Sequence, residues 1–230
     1  MERPIQKPPG TPVEELDTPA LVLDIGVFEA NLSDQETPPL RVDASVHRCP
    51  AIAHRQIAAG AHGVFVWSLS EAELMAQQGF SDIGIGMPLV TKQKQARADA
   101  LGRHVRLTLD VDRSEVSEQF GLDSEPAIRV LATVISRPEP GLAILDMGQK
   151  AAGADLGQPA VHGLPGACIS KMSAEHGFLV SEGLLPEIGE KVWAVPADLG
   201  SCMNLYDYLN VVRDGRLEAV WPVAGRGLYR

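Results

Sequence analysis

Residues 40–50, LRVDASVHRCP, gather more reactive side chains than any comparable stretch of the chain. Asp43 offers a carboxylate, Ser45 a hydroxyl, His47 an imidazole, Arg48 a fixed cation and Cys49 a thiol. A histidine beside a thiol suits metal ligation or acid–base work. One pocket residue next to one buried thiol is the simpler reading, since free cysteine is among the most buried residue types. No lysine stands in the stretch, which rules out an imine formed there.

Such residues work only when an element holds them. Residues 20–24 (ALVLD) read as a buried strand, with Asp24 placed to cap a helix over residues 26–32 that ETPP at 36–39 stops. Residues 40–46 read as the next strand. Pro50 then opens a helix that Gly60 ends. GVFVW at 63–67 is a third strand. Ser70 and Glu73 form a capping box for a helix over 71–78, closed by Gly79. SDIGIG at 81–86 is a fourth strand, residues 91–101 a polar helix, 104–111 a fifth strand and 114–120 a possible short helix. Strand and helix alternate with short connections, the pattern of a parallel sheet covered by helices.

The rhythm changes after Gly121. Residues 128–136, 142–146, 191–195, 209–213 and 217–223 read as strands separated by turns, among them RPEPG at 137–141 and RDG at 213–215. The expected fold class is therefore α/β plus all-β: a partial (β/α) barrel-like parallel sheet followed by a C-terminal antiparallel β domain. Residues 1–15 form a Pro-rich lead-in, 16–122 the α/β part and 123–230 the β part. About five strands are too few to close an eight-stranded barrel, so an exposed edge is expected.

Bulk properties narrow the function classes. The 230 residues are 45% hydrophobic, and 30 acidic against 20 basic residues give a net charge of −10. That balance argues against nucleic acid and anionic membranes as partners. No apolar run approaches the ~18 residues of a spanning helix, and the N-terminus lacks the pattern of a signal peptide. Cys49, Cys168 and Cys202 are odd in number and scattered, which suggests a reducing cytoplasm. Trp67, Trp193 and Trp221 fit strand packing, and GMP at 86–88 is a weak phosphate signal.

Several segments carry a family resemblance: LDTPALVLD (16–24), HRCPAIAHRQIAAGAHGV (47–64), SEAELMAQQGFSDIGI (70–85), VLATVISRPEPGLAILDMGQKA (130–151), AEHGFL (174–179) and MNLYDYLNVVRDGRLEAVWPVAGRG (203–227). The chain resembles the fold-type III pyridoxal-phosphate enzymes typified by alanine racemase, in their D-threonine aldolase and D-serine dehydratase-like branch. That resemblance implies an N-terminal (β/α)₈ barrel holding the cofactor on a lysine, a C-terminal β domain capping the site, a dimer, and a divalent metal. The corresponding activity is a lyase or aldolase acting on D-3-hydroxy amino acids.

Carried over residue by residue, the pattern breaks. The family strand reads arginine, proline, histidine, alanine, lysine, threonine, histidine, lysine; here it is Arg41, Val42, Asp43, Ala44, Ser45, Val46, His47, Arg48. Ser45 stands at the position of the Schiff-base lysine. A hydroxyl cannot form an imine, and neither can the permanently charged Arg48. Arg41 and His47 survive as pocket residues. At the family's metal ligands stand Asp198, a weak ligand, and Gly200; Tyr206 replaces a histidine, and Cys202 is a possible substitute ligand. Lys150 and Asp155 resemble a cap-domain loop that approaches the cofactor, though a surface ion pair explains them nearly as well, and His176 resembles a residue facing the mouth. Lys92 and Lys94 lie on a solvent-facing helix start. The resemblance also implies barrel segments after Val111 that are absent here. The expectation is a degenerate relative, homo-oligomeric or paired with a full-length relative. A working pyridoxal-phosphate- and metal-dependent lyase is the alternative.

Overall fold

The computed structural model describes residues 7–34, 40–117, 121–122, 125–153 and 155–229. In chain order the regular elements are β1 (Ala20–Asp24), α1 (Ile25–Ser33), β2 (Arg41–Asp43), α2 (Ala44–His47), α3 (Pro50–Ala58), β3 (Gly63–Val66), α4 (Leu69–Gln77), β4 (Asp82–Ile85), α5 (Lys92–Leu101), β5 (Arg106–Leu109), β6 (Val116–Ser117), β7 (Ile128–Glu139), β8 (Leu142–Leu145), α6 (Gln149–Ala152), β9 (Ala160–His162), β10 (Cys168–Met172), β11 (Gly177–Val180), β12 (Lys191–Val195), α7 (Leu199–Met203), β13 (Tyr208–Arg213) and β14 (Arg216–Pro222). Single 3₁₀ turns at Val13–Glu15 and Arg113–Glu115 complete the set. Two compact units result. One runs over Met1–Val27 and Pro126–Pro222, the other over Phe28–Glu125 and Val223–Arg230.

The second unit is an α/β layer. Its sheet has the order β5-β4-β3-β2-β6, and every neighbouring pair is parallel. Strands alternate side chains between faces. Val42, Val64, Val66, Ile83 and Ile85 point to the helices and pack with Ala53, Ala72, Met75 and Ala98. β2 has β3 on one side and β6 on the other, the arrangement at the seam of a barrel, where the first strand meets the last. Here five strands make up the arc among the described residues.

Three local expectations change. Residues 40–46 are not one strand: β2 ends at Asp43, whose Oδ1 accepts from the Ser45 N–H at 3.0 Å and turns the chain into α2. The capping box of α4 is Ser68 with Glu71, two residues earlier than Ser70 with Glu73. SLSEAE carries both registers. The earlier one buries Leu69 at the first helical position, and Glu73 instead holds Arg97 at 2.6 Å. Of the helix expected over 114–120, residues 113–115 form the 3₁₀ turn and 116–117 belong to β6, while 118–120 lie outside the described residues. The ETPP stop at 36–39 lies outside them also.

The other unit is a nine-stranded, mostly antiparallel sheet, β10-β11-β8-β7-β1-β13-β14, with β12 joining β7 to β9. β1, which the sequence pattern places at the head of the strand–helix alternation, lies in this sheet. It runs antiparallel to β7 and parallel to β13, the sheet's one parallel pair among the described residues. Val13, Leu16, Ala20, Val22, Leu131, Val212 and Leu217 form a core on one of its faces. The β13–β14 hairpin turns at Asp214 and Gly215, with φ of 50° and 71°, as an Asp-Gly turn requires.

Candidate functional site

In the parallel-sheet unit, the face turned away from the helices carries the reactive residues. Arg41 is buried. It donates to Asp82 Oδ1 from Nη2 at 2.7 Å and from Nε at 3.1 Å, and to Thr108 Oγ1 at 3.2 Å. Its Nη1 lies 3.5 Å from Glu115 Oε2. Gly84 makes room beneath it: an added Cβ would come within 2.6 Å of Val111 Cγ2 and 3.1 Å of Arg41 Cδ.

One layer higher sits Asp43. Its Oδ1 accepts the Ser45 hydroxyl as well as the Ser45 N–H, and its Oδ2 accepts from Arg113 Nη1 at 3.2 Å. Arg113 lies 4.7 Å from the Phe65 ring centroid and 5.1 Å from that of Trp67, and those two rings meet edge to face at 5.3 Å. Gly86 admits Phe65, because a Cβ there would stand 2.4 Å from Phe65 Cζ. The segment 111–117 therefore crosses the face of the sheet. Val111 covers Gly84, Arg113 covers Asp43 and the two rings, Glu115 reaches Arg41, and β6 pairs with β2.

Burial pushes the Asp43 carboxyl above its usual value, against the hydrogen bonds from Ser45 and Arg113 and the charge of Arg113. His47 is fully buried. Its Nδ1 accepts from the Cys49 N–H at 3.1 Å, which leaves Nε2–H to donate to Gln56 Oε1 at 3.1 Å. Burial first, then the nearby Arg48 cation, lowers its pKa to about 4. His47 is thus a neutral, fully hydrogen-bonded structural residue at pH 7. Burial also raises the Cys49 thiol. Glu71 is raised by burial as well; its Oε2 accepts from the Ser68 N–H, and its Oε1 lies 3.5 Å from Arg48 Nε. Lys92 and Lys94 sit in the first turn of α5, and Lys92 is exposed.

The β-sheet unit holds the remaining candidates in a looser grouping. A hollow of about 180 Å³ is lined by Gln149, Gly153, Asp155, Ser201 and Leu205. Asp198 caps α7, accepting from the Ser201 N–H at 3.2 Å and from the Ser201 hydroxyl. Gly200 lies within α7. Cys202 is buried and donates to the Ala151 carbonyl at 3.4 Å; burial, then the Asp198 charge, pushes its thiol up to about 12. The Cys202 side chain thus faces a backbone carbonyl inside the unit. Tyr206 has a buried hydroxyl with no hydrogen-bond partner, and burial raises it well above its ordinary value. Lys150 pairs with Glu175 at 2.5 Å rather than with Asp155, and both Asp155 and His176 are exposed. Among the described residues no three histidine, cysteine or acidic side chains gather as a metal site. No helix among them is long and apolar enough to cross a membrane.

Two features escape a reading for reactive residues. Arg113 looks like a charged turn residue in DVDRSE, and Phe65 and Trp67 look like strand packing. A signal did exist: Gly84 in β4 and Gly86 just past its end are two residues apart, which marks a close approach across one face.

Comparison with known proteins agrees with this architecture. Residues 127–212 match the family model "Putative serine dehydratase domain". A D-threonine aldolase of an Arthrobacter species is 25% identical, over 96% of this chain and 96% of its own length. That alignment extends over 363 positions against the 230 residues here, so at least 133 positions of the relative face gaps. An uncharacterized protein of Mycobacterium tuberculosis is 34% identical over 114 residues, 44% of this chain and 84% of that protein. The crystal structure of D-threonine aldolase from Filomicrobium marinum superposes with a TM-score of 0.86 at 23% identity, covering 97% of this chain and all of that one. The fold is that of the fold-type III, alanine-racemase-like proteins, and within the β-sheet unit residues 127–212 carry the match to the serine dehydratase domain.

Proposed function

We propose that this chain is a shortened, catalytically degenerate relative of the D-threonine aldolases and D-serine dehydratases, kept for a binding or structural role. The observation that carries the proposal is the setting of Ser45. It stands where the family places its Schiff-base lysine, and its hydroxyl is bonded to Asp43. The face beyond it is filled by Arg113 over Phe65 and Trp67.

Pyridoxal phosphate does not suit the residues present. Its aldehyde needs an amine, and Ser45 supplies a hydroxyl. The buried Asp43 carboxylate would repel its phosphate, and Arg113, the nearest cation on that face, is already paired to Asp43. The metal fares no better. The side chain of Asp198 is turned to Ser201, Gly200 has no donor, and the buried Cys202 thiol is bonded to the Ala151 carbonyl.

Shortening is a further departure beside these substitutions. β6 pairs with β2 as a last barrel strand pairs with a first, which supports a loss of barrel strands between β5 and β6. The segment 111–117 then occupies space that those strands would enclose. The experiment is turnover of D-threonine and D-3-hydroxyaspartate by the purified chain with added pyridoxal phosphate and Mn²⁺. The proposal expects no product above the protein-free control. Saturable aldehyde or keto-acid formation would overturn it.

A further inference from the structure

β5 ends the parallel sheet on one side: among the described residues only β4 pairs with it. The Arg106 N–H donates to the Ser81 carbonyl at 2.7 Å. Backbone groups alternate along a strand, so Arg106 and Thr108 face β4 while Leu107 and Leu109 turn their N–H and C=O groups outward. The side chains there are open too. Leu109 is 47% exposed and the Arg106 side chain 77% exposed.

β5 is Arg106-Leu107-Thr108-Leu109, and Asp110 follows it in a bend with φ of 53°; along the sequence the order cation, leucine, threonine, leucine, anion is palindromic. Reversed and centred on Thr108, it is complementary to itself. Leu107 meets Leu109 of the reversed copy, and those are the two residues whose backbone groups point outward. They form a hydrogen-bonded antiparallel pair on each side of the centre, four bonds in all. The leucine side chains lie together on the helix-covered face. Arg106, whose Nη1 lies 3.3 Å from Asp82 Oδ2, comes beside the bend that carries Asp110, so opposite charges meet at the ends of the pair, whereas a parallel, in-register copy would set like charges side by side.

We propose that β5 is an interaction surface whose partner is β5 of a second copy of this chain, joined antiparallel about a two-fold axis through Thr108. The two five-stranded sheets become one of ten strands. The pairing is isologous, so it closes at the dimer and leaves no β5 edge for further growth. It covers the edge that the shortened barrel exposes, and it does not depend on the loss of catalysis.

Sedimentation velocity of the whole chain at micromolar concentration, near pH 7.5, is the first test. The proposal expects a dimer; a monomer overturns it. The location is tested by cysteine cross-linking in a Cys168→Ser background, which removes the exposed thiol. At the centre of the pairing the two copies of residue 108 form a non-hydrogen-bonded pair, with Cα atoms about 4.5 Å apart. That separation lies within the range a disulfide spans. Thr108→Cys should therefore cross-link on mild oxidation at least tenfold faster than Arg106→Cys, whose two copies lie four residues out of step. A dimer in which the two variants cross-link equally, or in which neither does, places the interface elsewhere and refutes the proposal. Leu107→Pro, which removes only an outward N–H, should give a folded monomer with unchanged circular dichroism. A Leu107→Pro dimer would likewise refute it.

Discussion

Lowering the pH from 7.5 to 5 separates a structural His47 from a working one. The neutral ring uses both nitrogens, Nε2–H toward Gln56 and Nδ1 as acceptor from the Cys49 N–H. A proton added at Nδ1 would face that N–H directly, inside a fully buried site beside Arg48. The folded pKa of about 4 lies about 2.5 pH units below the ordinary 6.5. The unfolded chain therefore takes up a proton that the folded chain refuses, and stability falls as pH drops through this window. The loss works out to about 2 kcal/mol at pH 5 and approaches ~3.4 kcal/mol below pH 4. Asp43 and Glu71 act in the opposite sense. Their folded pKa values are raised, so their contribution is full below their unfolded values and is lost as pH rises. His47→Gln isolates the histidine, because both carboxyls remain. At pH 7.5 the variant should be about 1–2 kcal/mol less stable for a lost hydrogen bond in the core. By pH 5 that deficit should have closed. Urea denaturation followed by circular dichroism measures both. Parallel pH dependence in the two proteins, or a His47 ring signal titrating near pH 6.5 by NMR, would refute the reasoning.

Arg113→Ala should cost about 1–3 kcal/mol by leaving the buried Asp43 carboxylate without its cation, toward the low end because Arg113 is partly exposed, and should shift Trp67 fluorescence. Unchanged urea midpoint and emission would count against the packed Asp43–Arg113–aromatic cluster. Gly148→Ala should destabilise by at least ~3 kcal/mol, since its Cβ would stand 2.4 Å from the backbone of Glu175 and His176; a melting temperature like that of the parent would contradict that close approach. Of the three thiols, Cys168 alone should react quickly with a disulfide reagent in the native protein, with Cys49 and Cys202 following only on unfolding. A second fast thiol would contradict the burial of one of them.

Much of the fold was legible from periodicity. GVFVW and SDIGIG read as strands because β-branched and small residues run between turn signals, and β3 and β4 lie there. The five strands expected after Gly121 correspond to β7, β8, β12, β13 and β14. β9 and β10 were missed because AVH is short and CISKM is mostly exposed, so neither presents an apolar run; β11, GFLV, is apolar but only four residues long. The partners of β1 were not legible, since ALVLD is equally apolar in either sheet and only pairing with β7 and β13 decides its place. At the site, Ser45 was readable by its position alone. Its bond to Asp43, and the return of Arg113 across Phe65 and Trp67, depend on a chain reversal that no local pattern encodes.

Reductive trapping tests the central claim most directly. The purified chain is incubated with a small excess of pyridoxal phosphate, its absorbance is recorded, and it is reduced with borohydride and mapped by peptide mass spectrometry. The account predicts no aldimine band in the region of about 410–430 nm and no stoichiometric adduct on any of the six lysines. A saturable band together with one lysine labelled to completion would contradict it, because the chain would then hold the cofactor on an amine other than the one Ser45 replaced.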